Sequence, residues 1–180
     1  LVEAASAPDF PAEVVAVVVD RPCGAESAGV PSRRVAVSDH GSRAEWDVAL
    51  TEVVDCWSPD LVVSAGFMRI LGPAFLARFG GRIVNTHPAL LPSFPGAHAV
   101  ADALAHGVKV SGSTVHLVDD GVDTGPIVAQ EAVPVLDGDT EESLHERIKI
   151  VERRLLIDVV AAVATRGVIT DGRKAQIPSD

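Results

Sequence analysis

Cysteine is scarce: the 180 residues hold only Cys23 and Cys56, with no C-x-x-C pair. A disulfide framework needs a dense set and a zinc site needs clustered ligands, so neither is expected, and two reduced thiols in a cytoplasmic protein are the simpler assignment. Long apolar runs are missing as well. Residues 14–19 and 159–164 fall far short of the roughly 20 residues that cross a bilayer, and no basic, apolar and small-residue leader pattern opens the chain. A soluble protein with no membrane partner is expected. Positive charge is in deficit, with 15 Lys and Arg against 25 Asp and Glu. Polyanions are bound by clustered cations, so a nucleic-acid partner is not expected and a small-molecule substrate is.

What is present is a hydrophobic content of 47%, enough over this length for one domain spanning residues 1–180. Residues 14–19 form a continuous β-branched run, the pattern of a central strand buried on both faces. Residues 61–65 and 83–86 repeat it. Trp46, Ala49, Leu50, Val53, Val54 and Trp57 recur at helical spacing behind Ser42 and Glu45, an S-x-x-E start signal. Shorter helices are predicted over 73–79, where Pro73 suits a first helical position, and over 97–106, with Gly107 as its stop. Further strands are predicted over 113–118 and 127–135. A long closing helix follows, capped by Asp139 with Glu142 three residues on, its apolar side formed by Leu144, Ile148, Val151, Leu155 and Val159. Strands alternating with helices predict an α/β fold: a doubly wound, mostly parallel, Rossmann-like sheet with helices on both faces and ligands at the carboxyl ends of the strands.

Two stretches read as incomplete. A parallel crossover needs about a dozen residues or more, and residues 22–28 are short for one between strands near Val17 and Val35, so missing residues are expected there. The chain also opens at Leu1 as if in the tail of a helix, and an earlier strand with its loop is expected.

Chemistry concentrates in residues 85–98, NTHPALLPSFPGAH, and 119–126, DDGVDTGP. Asn85 offers amide hydrogens to a developing oxyanion, His87 titrates near neutral pH, and Pro88, Pro92 and Pro95 constrain the backbone that carries them. A lone His at a strand end is more often structural, but the amide and imidazole together favour acyl or formyl transfer. Asp119, Asp120 and Asp123 surround Gly121, which also describes an exposed turn. No calcium-loop spacing is present, and no metal is expected. A carboxylate beside His87 favours the imidazolium and raises its pKa, and Asp123 fits because Thr124, Gly125 and Pro126 can turn it into the cleft. His98 and His116 flank the region; for His116 a structural role is at least as good. His40, His106 and His145 read as surface residues. Arg43 lies in the first turn of a helix, where it is either a solvated cation or an anion ligand. Residues 67–71 follow a strand and read as core packing or as the wall of a crevice. Lys149 and Glu152 share a helix face, as a surface ion pair or as ligands of a phosphorylated sugar.

The stretches AGFMRIL (65–71), NTHPALLPSFPGAH (85–98), STVHLVDDGVDTGPIVAQ (113–130) and DGDTEESLHERIKIVERR (137–154) resemble the folate-dependent phosphoribosylglycinamide formyltransferase family. The resemblance runs from about residue 14 to 163 and implies the formyltransferase fold. It also implies transfer of a formyl group from 10-formyltetrahydrofolate, the co-substrate, to the amine of glycinamide ribonucleotide in purine biosynthesis, with a homodimer as a compatible assembly. By resemblance Asn85 hydrogen-bonds the formyl oxygen, His87 donates a proton to the tetrahedral intermediate, and Asp123 raises the pKa of His87. Folate contacts carry over to Arg43, to Met68, Arg69, Ile70 and Leu71, and to Asp119, Asp120, Gly121 and Val122. Lys149 and Glu152 match ribonucleotide contacts. The family's opening strand and Gly/Ser-rich phosphate loop have no counterpart in this sequence.

Two related activities compete. A formyltetrahydrofolate hydrolase shares the Asn, His and Asp but gives the formyl group to water and carries an extra N-terminal domain. A methionyl-tRNA formyltransferase typically has RGAAP where FPGAH stands here, and its RNA-binding domain conflicts with the acidic charge. A non-catalytic folate-binding module is the alternative of a different class.

Overall fold

The computed structural model describes residues 1–179. Element order is α1 (Val2–Ala5), β1 (Val17–Val19), β2 (Ser32–Arg34), α2 (Arg43–Asp55), β3 (Val62–Ser64), α3 (Pro73–Phe79), β4 (Ile83–His87), α4 (Ala99–Ala105), β5 (Val110–Leu117), β6 (Ile127–Pro134), α5 (Glu141–Arg166), β7 (Ile169–Asp171) and β8 (Lys174–Gln176). Six strands form one sheet in the order β3-β4-β5-β6-β8-β7. Neighbours β3 and β4 run parallel, as do β6 and β8, whereas β4–β5, β5–β6 and β7–β8 are antiparallel. The α/β class and its helix-covered sheet are as expected.

Two consecutive residues of β4 show how both faces are filled. Ile83 packs with Trp46, Leu50, Phe75 and Phe79 of α2 and α3, while Val84 packs with Val115, Leu117, Leu156, Val159 and Val160, joining β5 to α5. Alternate side chains of a strand point to opposite faces, so the run Ile83-Val84 is apolar because each residue meets a different helical layer.

Several expectations need correction. The run at 14–19 forms only a three-residue strand, β1, and it pairs in parallel with β2 in a separate two-stranded sheet rather than in the centre of the main one. The connection from β1 to β2 over residues 20–31 carries one 3-10 turn, Gly24–Ser27. Helix α5 is capped by Thr140, whose hydroxyl accepts from Ser143 N at 3.2 Å, and not by Asp139. Asp139 instead grips Arg147, and that guanidinium holds its carboxyl far below the usual carboxylate range. Helix α4 begins at Ala99, with His98 at its N-cap. The β7–β8 hairpin was not foreseen, although Asp171-Gly172, with Gly172 at φ 57°, is a strong short-range hairpin signal.

Candidate active site

Strands β4 and β5 build the site between them. Asn85 and His87 lie two apart on β4 and therefore share a face, and the antiparallel register sets His116 opposite Asn85 and Thr114 opposite His87. Beside His116 the pairing partner on β6 jumps from Ala129 to Ile127, a bulge, and bulges commonly re-aim side chains next to active sites. Thr114 is buried and anchors the 89–91 segment: its hydroxyl donates to Ala89 O at 2.6 Å and accepts from Leu91 N at 3.1 Å and Gln130 Nε2 at 2.9 Å. The segment after His87 is thereby tied down on β5.

Asp123 reaches this face from the loop after β5. Its backbone is left-handed, φ 54°, a conformation that Asp tolerates better than most residues. Gly125 makes the return possible, because a Cβ there would collide with the Leu117 carbonyl. Asp123 Oδ2 accepts from Gly96 N at 2.8 Å and lies 3.3 Å from His87 Nδ1, while Oδ1 lies 3.6 Å from His116 Nε2. His87, His116 and Asp123 form one contiguous group with Asn85, whose Nδ2 is 3.2 Å from His116 Nε2.

Hydrogen-bond partners assign the protons. His116 Nδ1 faces the Leu117 carbonyl at 2.9 Å, which can only accept, so Nε2 accepts one Asn85 amide hydrogen in the neutral ring and donates to the Asp123 carboxylate in the charged one. The second amide hydrogen of Asn85 remains for a ligand. His87 Nε2 donates to the Phe94 carbonyl at 2.7 Å, and Nδ1 then turns a lone pair toward the Asp123 carboxylate. A proton on Nδ1 converts that contact into a charge-assisted hydrogen bond.

Burial pushes the His87 imidazole below its ordinary pKa and outweighs the upward pull of the Phe94 carbonyl and of Asp123. The raised value expected from the sequence is thus reversed, because His87 is 3% exposed and desolvation of the charged ring is the larger effect. Asp123 falls to about 2, held there first by the hydrogen bond to His116, then by Gly96 N–H and the two imidazoles, against burial. A carboxylate depressed in the folded state stabilises it fully above its unfolded pKa of roughly 4 and loses that contribution as pH falls toward 2. Urea midpoints of the wild type and Asp123→Ala, compared between about pH 6 and pH 2, are accordingly expected to converge toward the acid end. A constant gap would show that the ionised carboxylate contributes nothing to folding.

The other sequence-derived residues lie around this group at varying distance. Arg43 Nη2 donates to Ile70 O at 2.6 Å, and its guanidinium stands 4.4 Å over the Trp46 ring. Arg69 is ion-paired with Asp20 at 2.7 Å. Met68 and Ile70 are 64% and 65% exposed, more than apolar side chains need be, while Leu71 packs against the α2–α3 core. In the 119–123 loop, Asp119 accepts from Gly121 N at 3.1 Å and Thr124 Oγ1 at 2.7 Å, leaving Asp120 and Val122 outward. Lys149 pairs with Glu146 at 2.7 Å and not with Glu152. Glu152 bonds Thr86 on the face of β4 opposite Asn85 and His87, and burial raises its carboxyl. The sequence did not separate His116 from a structural histidine. Its position opposite Asn85 depends on strand register, for which the only local signal was alternation within residues 113–118. Among the described residues no group of three or more His, Cys, Asp or Glu could hold a metal ion, and no helix is long and apolar enough to cross a membrane.

A formyl transferase family profile matches residues 1–160. The phosphoribosylglycinamide formyltransferase of Mycobacterium tuberculosis is 66% identical over 171 residues, covering 93% of this chain and 80% of that protein. Among solved structures, glycinamide ribonucleotide transformylase 1 of Symbiobacterium toebii superposes with a TM-score of 0.89 at 42% identity, over 93% of this chain and 81% of that one. A formyltetrahydrofolate deformylase of Pseudomonas syringae superposes with a TM-score of 0.84 at 26% identity, but the match covers only 57% of its chain.

Proposed function

The chain belongs to the formyl transferase family, and from that premise we propose that Asn85, His87 and Asp123 are its catalytic residues. It transfers the formyl group of 10-formyltetrahydrofolate to the amine of glycinamide ribonucleotide, a step of purine biosynthesis. The observation that carries the site assignment is the joining of an amide donor, a buried imidazole and a carboxylate on one face of β4 and its flanking loop.

Attack of the unprotonated amine on the formyl carbon forms a C–N bond and moves charge onto the formyl oxygen, where the free amide hydrogen of Asn85 stabilises it. His87, kept neutral by burial, takes the proton that the attacking nitrogen sheds. The resulting imidazolium is stabilised by Asp123 and passes the proton to the folate nitrogen as its bond to the formyl carbon breaks. No charge is left behind, and the imidazole returns to its starting state.

We assign formylfolate to a crevice between residues 66–71 and 119–122, the segments that follow the carboxyl ends of β3 and β5. Exposed Met68, Ile70 and Val122 give a flat aromatic ligand apolar surface to cover, and Arg43 at the rim supplies a cation for a glutamate tail. Arg69, Leu71, Asp119, Asp120 and Gly121 complete that crevice, and Lys149 with Glu152 is assigned to the ribonucleotide. We place the enzyme in the cytoplasm, where the exposed thiols of Cys23 and Cys56 stay reduced.

Absorbance of a 10-formylfolate analogue, followed with and without glycinamide ribonucleotide, tests the reaction. Deformylation is expected only when the ribonucleotide is present. Equal rates without it would identify water as the acceptor and overturn the transferase in favour of the hydrolase.

A further inference from the structure

Three side chains on one face of α2 grip the segment between β3 and α3. Arg43, Trp46 and Asp47 stand at i, i+3 and i+4, and so project together. Arg43 donates to the Ile70 carbonyl, the Trp46 indole stacks on Phe67 at 6.2 Å between centroids with 9° between planes, and Asp47 takes the end of the segment. Asp47 is 4% exposed, and no cation pairs with it among the described residues. Its Oδ1 accepts from Gly72 N at 2.9 Å and its Oδ2 from Ala74 N at 2.8 Å.

Those two N–H groups open α3. Gly72 is the N-cap position and, as glycine, brings no side chain to satisfy them. Donors left unpaired at a helix start are costly, as is a carboxylate removed from water, and the two needs cancel here across two helices. Backbone conformation does not demand glycine at position 72: φ −90° and ψ 179° are open to any residue and suit an ordinary Ser or Asp cap. What excludes a side chain is Asp47 itself, since a Cβ on Gly72 would lie 2.5 Å from Oδ2 and 2.6 Å from Oδ1.

We propose that Asp47 is a positioning residue for formylfolate: it caps α3 from the neighbouring helix and thereby fixes the Phe67–Leu71 wall of the crevice. The cap in trans links the placement of that wall to α2, the helix that also carries Arg43. A local cap on residue 72 would start α3 equally well without tying it to α2. The proposal rests on the assignment of residues 66–71 to formylfolate.

The test is a cycle of Asp47→Ala, Gly72→Asp and the double variant, read by binding of a 10-formylfolate analogue, by KM for the ribonucleotide, and by hydrogen exchange at the Gly72 and Ala74 amides. Asp47→Ala is expected to weaken analogue binding roughly tenfold, about the worth of a lost helix cap, with the ribonucleotide KM within about twofold of wild type. Gly72→Asp alone is expected to bind the analogue as poorly, because its new side chain meets the Asp47 carboxylate. In the double variant the new carboxylate caps α3 locally and restores protection at Ala74, but α3 is no longer tied to α2, so analogue binding is expected to stay weakened roughly tenfold. Analogue binding restored to the wild-type level in the double variant, or a parallel rise in the ribonucleotide KM, would overturn the positioning role. Loss of amide protection with unchanged analogue binding would leave the cap standing and overturn the assignment of residues 66–71 to formylfolate.

Discussion

Asp123→Asn is expected to lower turnover by roughly 10²- to 10⁴-fold, the usual worth of a tuned proton-transfer partner, with formylfolate binding largely kept. The substitution preserves shape, and an amide oxygen in the place of Oδ2 still accepts from Gly96 N, so the loop keeps its anchor. What disappears is the negative charge 3.3 Å from His87 Nδ1. Burial already disfavours the imidazolium, and Asp123 is the charged group that opposes this effect. In the variant the His87 pKa therefore falls further, and the charged intermediate that must carry the proton between two nitrogens becomes harder to form. Single-turnover rates at saturating substrates measure the first effect, and an NMR titration of the His87 ring measures the second. Near-normal turnover, or an unchanged ring titration, would refute the role given to Asp123.

Removal of the Asn85 amide is expected to be nearly as severe. Asn85→Ala should reduce kcat by about 10²- to 10³-fold, the cost of deleting one preorganised oxyanion donor. Its effect should fall on kcat more than on the substrate KM values, because the hydrogen bond strengthens only as charge develops on the formyl oxygen. Asn85 also donates to His116 Nε2, so the alanine variant frees that ring nitrogen to turn toward Asp123. Asn85→Asp keeps the side-chain volume but removes both donated hydrogen bonds at once, so it is expected to lose at least as much kcat as the alanine variant. A loss confined to KM in either variant would place Asn85 in substrate binding rather than in transition-state stabilisation.

Legibility in the sequence depended on range. Pro73 opens α3 and Ser42 caps α2, accepting from Glu45 N at 3.2 Å, because such signals act within four residues along the chain. The stripe Leu144, Ile148 and Val159 faces the sheet in α5 because helical periodicity and burial are the same fact seen twice. Asn85 and His87 were legible for a similar reason, as two residues apart on one strand share a face in any fold. The cap of α5 was misplaced by one residue: Asp139 and Thr140 are both good capping types, and only the ion pair of Asp139 with Arg147 commits it elsewhere.

The sequence by itself determined the α/β class, the helices with clear start signals, the motif at 85–87 and, through the family pattern, the chemistry. Tertiary structure alone decided that the 14–19 run pairs outside the main sheet, that His116 joins the site, that burial lowers the His87 pKa, and that Asp47 starts a helix belonging to another part of the chain. The physical reason is the same in each case. Periodicity and capping are properties of neighbouring residues, whereas strand register, desolvation and the sharing of lone pairs exist only once distant segments have excluded water from between them.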